Sequence, residues 1–214
     1  MAKTSLKLEA YNAIRKRIMD CTYAPGTILN EDALTEEFNV SRTPIRDAIS
    51  RLEQEGIVII LPKKGVMVSE LSISQLNSIF EIRILFEPYA LERYGSSMDE
   101  SKLFAFYEAF NNDMQLTAFQ RYELDDEFHN FIMSAIPNTY MHRTYDLIQV
   151  QNIRYRVLTG NLLGNCYEVG HQEHLEILSH CLKKNWSEAA KAMEQHLLRS
   201  KNSSFDIILE KSLL

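Results

Sequence analysis

Leu8, Tyr11, Ile14 and Ile18 step by three and four, the spacing of a helix with one buried stripe. Pro25-Gly26 closes that segment, as a dipeptide with restricted and permissive backbones should. Leu34 and Phe38 then mark a short second helix over 31–38, and Asn39 supplies a residue that tolerates the left-handed backbone of a tight interhelical turn. Ser41 is an expected N-cap for the next helix, with Pro44 in the first turn, where a missing N–H costs little. Ile45, Ala48, Ile49 and Leu52 form its apolar stripe and Gly56 its stop. Residues 57–61 and 66–68 read as two short strands around Pro62-Lys63-Lys64-Gly65. The order predicted is helix, helix–turn–helix, β-hairpin.

Beyond Ser69 the apolar period is helical throughout. Ser72 with Gln75, and Ser97 with Glu100, have the spacing of capping boxes. Helices are expected near 73–95, 99–115, 119–136, 139–160, 170–184 and 187–211, with a kink at Pro88 and breaks at Pro137 and at 160–164. The fold class is therefore mainly α. An N-terminal winged helix-turn-helix of three helices and a small β-hairpin occupies 1–70, and a C-terminal all-α antiparallel helical bundle occupies 71–214.

Composition narrows the function classes. No apolar run approaches the ~20 residues of a membrane span, and Met1–Leu8 is polar, so no membrane partner and a cytoplasmic address are expected. Cys21, Cys166 and Cys181 lie far apart, which argues against a disulfide framework or zinc ribbon and for small buried hydrophobes. The net charge of −6 is uneven. Residues 1–70 hold 10 basic and 10 acidic side chains, so the remainder carries the whole excess, with 13 basic and 19 acidic.

Residues at the start of the second helix of a helix-turn-helix meet base edges in the major groove. Here Arg42 and Arg46 share one face, opposite the Ile45–Ile49–Leu52 stripe, with Thr43 between them and Arg51 further along. Arginine suits the task because its fork bonds both O6 and N7 of guanine. Ser41 and Thr43 would bond phosphate at the helix N-terminus. Lys63, Lys64 and Gly65 form the hairpin tip, which would reach backbone or minor groove. Taken alone, two arginines on one face also describe an ordinary solvated helix.

A second constellation lies in the C-terminal part. Tyr122, Asp125, His129, Ile132 and Ile136 form one inward seam, and an inward carboxylate is costly unless paired or bound to a cation. His174 shares a face with Leu178 and Cys181, and His196 with Ala189 and Met193. Any single buried histidine is more often a hydrogen-bonded core residue, so a metal centre requires that the three helices converge. Arg83 sits in the seam Leu76, Ile79, Phe86, Ala90 and needs an anion. The candidates are a structural carboxylate such as Glu87 or Asp126, or the carboxylate of an effector. Arg154, in line with Leu147, Val150 and Val157, is a second candidate for such an effector.

Two resemblances sharpen these readings. Pro25-Gly26, Leu29-Asn30-Glu31, Leu34, Val40-Ser41-Arg42-Thr43-Pro44-Ile45-Arg46, Leu52-Glu53-Gln54-Glu55-Gly56-Ile57 and Gly65 resemble the N-terminal domain of the GntR family of transcription regulators over roughly 8–69. Asn39 replaces the family's usual glycine, and Asp32 stands where some relatives carry a DNA-contacting arginine. Asp125-Asp126-Glu127-Phe128-His129, Asn138, Arg154-Tyr155-Arg156, Glu173-His174 and His196-Leu197 are similar to the FadR-type C-terminal ligand-binding domain, FCD, over about 73–200. That resemblance implies a divalent metal, zinc foremost with nickel or manganese as alternatives, held by Asp125, His129, His174 and His196. It also implies a small organic-acid effector, and the pair together implies a homodimer on double-stranded operator DNA, with no catalysis. The rival from another class is a metal-dependent hydrolase built on the same four residues.

Overall fold

The computed structural model describes residues 6–62, 64–112, 116–160 and 166–211. The first apolar stripe becomes the buried face of α1 (Leu6–Met19), with Ala10, Tyr11, Ile14 and Ile18 inside. It packs on α3 (Arg42–Gln54), which buries Ile45, Ala48, Ile49 and Leu52. Between them α2 (Glu31–Phe38) contributes Leu34 and is capped by Asn30, whose side chain accepts from Asp32 N at 2.7 Å. Asn39 takes the left-handed conformation, φ 51° and ψ 45°, that the turn requires.

Ser41 has the extended backbone of an N-cap but makes no side-chain capping bond. Its neighbours explain the departure from expectation. An N-cap oxygen bonds the N–H of the second or third helical residue, and the third is Pro44, which has none.

The wing has one strand more than expected. β1 (Ile28–Leu29) pairs with β3 (Gly65–Val68), which pairs with β2 (Val58–Leu61), all antiparallel in the order β1-β3-β2. Two residues are too few to show an alternating pattern. Gly65 has φ +110°, and a Cβ there would stand 2.9 Å from the Leu29 carbonyl oxygen. The close approach of β1 thus requires glycine at this position.

The chain divides into two compact units. The first comprises residues up to 75 together with the 147–160 portion of α7 (Thr139–Gly160). This helix segment joins through specific bonds: Gln151 Nε2 donates to Gly56 O at 2.8 Å, Arg154 Nη2 to Ser69 O at 2.6 Å, and Tyr155 Oη bonds both Ser72 O and Ser72 N at 2.6 Å. The first unit therefore takes in residues that a division at 70 leaves out.

The second unit holds α4 (Ile73–Tyr94) from residue 76, α5 (Glu100–Asn111), α6 (Ala118–Ser134), the start of α7, α8 (Cys166–Leu182) and α9 (Trp186–Lys211). Its core is built from Leu76, Phe80, Leu91, Leu103, Phe110, Phe128, Ile132, Ile177, Leu178, Met193 and Leu197. The Ser72–Gln75 box forms in both directions at 3.2 Å. Ser97 instead closes a 3-10 turn, and Asp99 caps α5 by accepting from Ser101 N at 2.9 Å. An ionised acceptor adjoining the helix start displaces the serine two residues earlier. α8 begins at Cys166, earlier than expected. No helix among the described residues is long and apolar enough to cross a membrane.

Candidate metal centre and nucleic-acid interface

The inward stripes of α6, α8 and α9 converge. His129, His174 and His196 are each buried, and one ring nitrogen from each lies within 4.8 Å of the others. The rings of His129 and His196 stack at 5.4 Å, and those of His174 and His196 approach to 4.4 Å. Asp125, one turn before His129, stands at the edge, with Oδ1 3.4 Å from His174 Nε2 and Oδ2 3.9 Å from His129 Nε2. Neighbouring ligands around a tetrahedral ion with bonds of about 2.0–2.1 Å lie roughly 3.4 Å apart. The Asp125–His174 spacing already matches, and the wider ones, none beyond 4.8 Å among the histidines, need a contraction of at most about 1.4 Å.

A second observation supports the fit. His129 Nε2 is buried without a hydrogen bond, which a native interior seldom leaves unanswered. A cation at that point would use the orphaned lone pair.

The other side of the His129 ring is fixed. Its Nδ1 lies 2.5 Å from Glu87 Oε2, and Glu87 also accepts from Arg83 Nε at 2.7 Å and Tyr145 Oη at 2.7 Å. Burial alone would raise the Glu87 pKa, but the Arg83 and His129 charges and hydrogen bonds bring it down to about 2. An ionised carboxylate only accepts, so Nδ1 carries a proton, and the neutral form of the ring has its lone pair on Nε2. Burial pushes the Tyr145 hydroxyl well up, reinforced by the Glu87 charge, which keeps it a donor. At His196 the same arrangement recurs: Nδ1 meets Glu173 Oε2 at 2.8 Å, and Arg199 clamps Glu173 through Nε and through Nη2 at 2.6 Å. Burial lowers the His196 pKa, favouring the neutral ring that a metal needs.

On the first unit, Arg42, Thr43 and Arg46 are exposed at the start of α3. Arg42 pairs with Asp32 at 2.9 Å and Arg46 with Glu31 at 2.8 Å, both partners on α2. Arg51 lies over the Tyr11 ring at 3.8 Å and 3.6 Å from Glu55, so its charge faces α1 and its own helix. Ser41 and Lys64 are exposed. Lys63 lies outside the described residues.

The two arginines expected to hold an effector have protein partners. Of its two candidate carboxylates, Arg83 pairs with Glu87 at 2.7 Å. Arg154, fully buried, donates to Ser69 O and to Gln151 Oε1 at 2.8 Å within the first unit. Sequence reasoning quoted Glu173 only as part of the Glu173-His174 motif, without a role, and did not single out Arg199. Glu173 adjoins His174 and so leaves its helix in another direction, and only the α8–α9 packing brings it to His196. His142 bonds the Ile136 carbonyl at 2.6 Å, and His171 lies near the Phe110 ring at 6.5 Å.

A winged helix-turn-helix followed by an all-helical domain is the architecture of a DNA-binding regulator. The model for bacterial regulatory proteins of the gntR family matches residues 6–68, and that for the FCD domain matches 78–199. The chain belongs to the GntR family, in the group with an FCD domain, and is a DNA-binding transcription regulator. It is 29% identical over 210 residues to the HTH-type transcriptional repressor RspR of Escherichia coli K12, covering 95% of this chain and 91% of that one. Against the gluconate operon transcriptional repressor of Bacillus subtilis it is 29% identical over 153 residues, covering 68% and 61%. Among solved structures, E. coli McbR/YncC superposes with a TM-score of 0.75 at 17% identity, covering 95% of this chain and 99% of that one. A GntR regulator from Rhodococcus sp. RHA1 gives 0.72 at 17% identity, with the same coverage. Family and relatives are regulators, which sets aside the metal-dependent hydrolase.

Proposed function

We propose that this regulator represses transcription as a homodimer on double-stranded operator DNA and is controlled by a small carboxylate effector bound at a divalent metal. The carrying observation is the buried His129–His174–His196 cluster with Asp125 at its rim. Three imidazoles and one carboxylate suit zinc, with nickel and manganese as the alternatives. Bound with more than these four ligands, the ion would supply coordination positions to an anion. Asp125 leaves a divalent ion with a net charge near +1, so the centre attracts a carboxylate.

Arg42, Thr43 and Arg46 read base edges, Ser41 bonds phosphate, and Lys63, Lys64 and the Gly65 turn meet the backbone. Arg51 supports the helix from behind. Arg83 acts on the effector through Glu87 and the His129 ring that Glu87 holds, and Arg154 holds the 147–160 portion of α7 within the first unit.

Elemental analysis of the purified full chain, followed by operator binding over a salt series with and without a panel of organic acids, tests the reading. Stoichiometric metal and an acid-dependent change in DNA affinity are expected. A chain without metal-binding capacity, or with DNA affinity indifferent to every acid, overturns it.

A further inference from the structure

Two of the three clustered histidines carry the same attachment on the far side of the ring. His129 Nδ1 meets Glu87, which Arg83 holds one helical turn away at 2.7 Å. His196 Nδ1 meets Glu173, which Arg199 clamps through two nitrogens. The two sets come from different helices: α4 with α6, and α8 with α9. A structural histidine needs one hydrogen bond. It needs neither an ionised acceptor nor an arginine held in turn to that acceptor.

Resting on the metal reading above, we propose that Arg83–Glu87 and Arg199–Glu173 are matched relays with two separate duties. The glutamates present His129 and His196 to a divalent cation through Nε2. The arginines cancel the glutamate charges, so that the occupied centre stays cationic and accepts a carboxylate.

Charge counting supports the division. A divalent ion with Asp125 carries +1. Two uncompensated glutamates bonded to the ligating rings would bring the assembly to −1 and repel an anion. Each arginine returns one unit. Glu87 and Glu173 are thus positioning residues for the cation, and Arg83 and Arg199 set which sign of ligand the centre will take. Outer carboxylates of this kind are typically worth about 10–100-fold in metal affinity.

The experiment uses the full chain, with zinc measured by chelator competition and acetate measured by the visible band of the cobalt-substituted protein. Glu173→Gln, at a partly exposed residue, is expected to weaken zinc by roughly 10–100-fold. Glu87→Gln should do the same where it folds. Arg199→Gln is expected to keep zinc within about threefold and to weaken acetate by roughly three- to tenfold, since one uncancelled charge then sits near the centre. Loss of mere packing would lower both affinities in both variants. Long-range nitrogen correlation spectra of metal-free wild type should show His129 and His196 protonated on Nδ1.

Unchanged zinc affinity in Glu173→Gln, or unchanged acetate affinity in Arg199→Gln, overturns the inference. Failure of the wild-type chain to bind zinc, nickel or manganese overturns the metal reading beneath it instead.

Discussion

Arg83→Leu tests the buried network directly. Arg83 is 4% exposed and Glu87 0%, so the substitution leaves a carboxylate inside the protein without its cation. Removing one partner of a buried ion pair generally costs about 3–5 kcal/mol. Glu87 would keep two donors, Tyr145 at 2.7 Å and His129 at 2.5 Å, which favours the lower end, about 3 kcal/mol. For a protein of this size that is a fall in Tm of roughly 6–12 °C. Calorimetry of the metal-free chain is the assay, because bound metal would add its own stabilisation. The double variant Arg83→Leu/Glu87→Gln should regain part of the loss, since a neutral amide needs no counter-charge. A single variant within about 1 kcal/mol of wild type would refute the reasoning, and would instead mark Arg83 as a cation kept for an external anion.

Further outcomes follow from the two sites. Arg42→Ala or Arg46→Ala should cost about 1–3 kcal/mol of operator affinity and relax one position of the sequence, whereas Lys64→Ala should weaken all sequences evenly and flatten the salt dependence. Unchanged selectivity in Arg46→Ala would exclude the proposed docking. Zinc at a hundred times its dissociation constant should stabilise the wild type by about 2.7 kcal/mol and leave His174→Ala unmoved in a thermal scan. Sedimentation should show a dimer, and a single species of 24.8 kDa at micromolar concentration would oppose it. Gly65→Ala should destabilise the first unit by about 1–3 kcal/mol, because φ is +110° and the new methyl carbon would meet Leu29 O at 2.9 Å. Urea unfolding at wild-type midpoint would contradict that.

The helices were legible because their stripes repeat over several turns, as in Ile45, Ala48, Ile49 and Leu52. β1 was not, since Ile28 and Leu29 are too short a run for a period to show. The inward faces carrying Asp125, His129, His174 and His196 were readable one helix at a time. Their convergence was not, because periodicity fixes a direction around an axis and says nothing of the neighbouring axis. The outer partners were harder still. Glu87 lies 42 residues from His129 and Glu173 lies 23 from His196, so no local spacing links them. Arg83 and Arg154 show the limit from the other side. Both were correctly placed facing inward, yet period alone could not choose between Glu87, Asp126 and a ligand, or foresee that Arg154 bonds Ser69 O.

The pairing of Arg42 with Asp32 and of Arg46 with Glu31 bears on how a chain of net charge −6 can choose among DNA sequences. Neither arginine is a free cation before binding, so each must give up a carboxylate to reach a base. Exposed pairs of this kind are worth about 0.2–1 kcal/mol, and a bidentate arginine–guanine contact discriminates by about 1–3 kcal/mol. The exchange is therefore favourable where both guanine acceptors are present and nearly neutral where a single acceptor is offered. The acidic residues of α2 thus subtract in full only from complexes in which the arginine is released, and least from weak ones that leave the pair in place. Glu31→Gln should accordingly tighten binding to the operator by a larger factor than binding to non-operator DNA, raising the ratio between them. A titration of both DNAs at one salt concentration measures that ratio. If Glu31→Gln raises both affinities equally, Glu31 acts only through the net charge of the domain and not through its hold on Arg46.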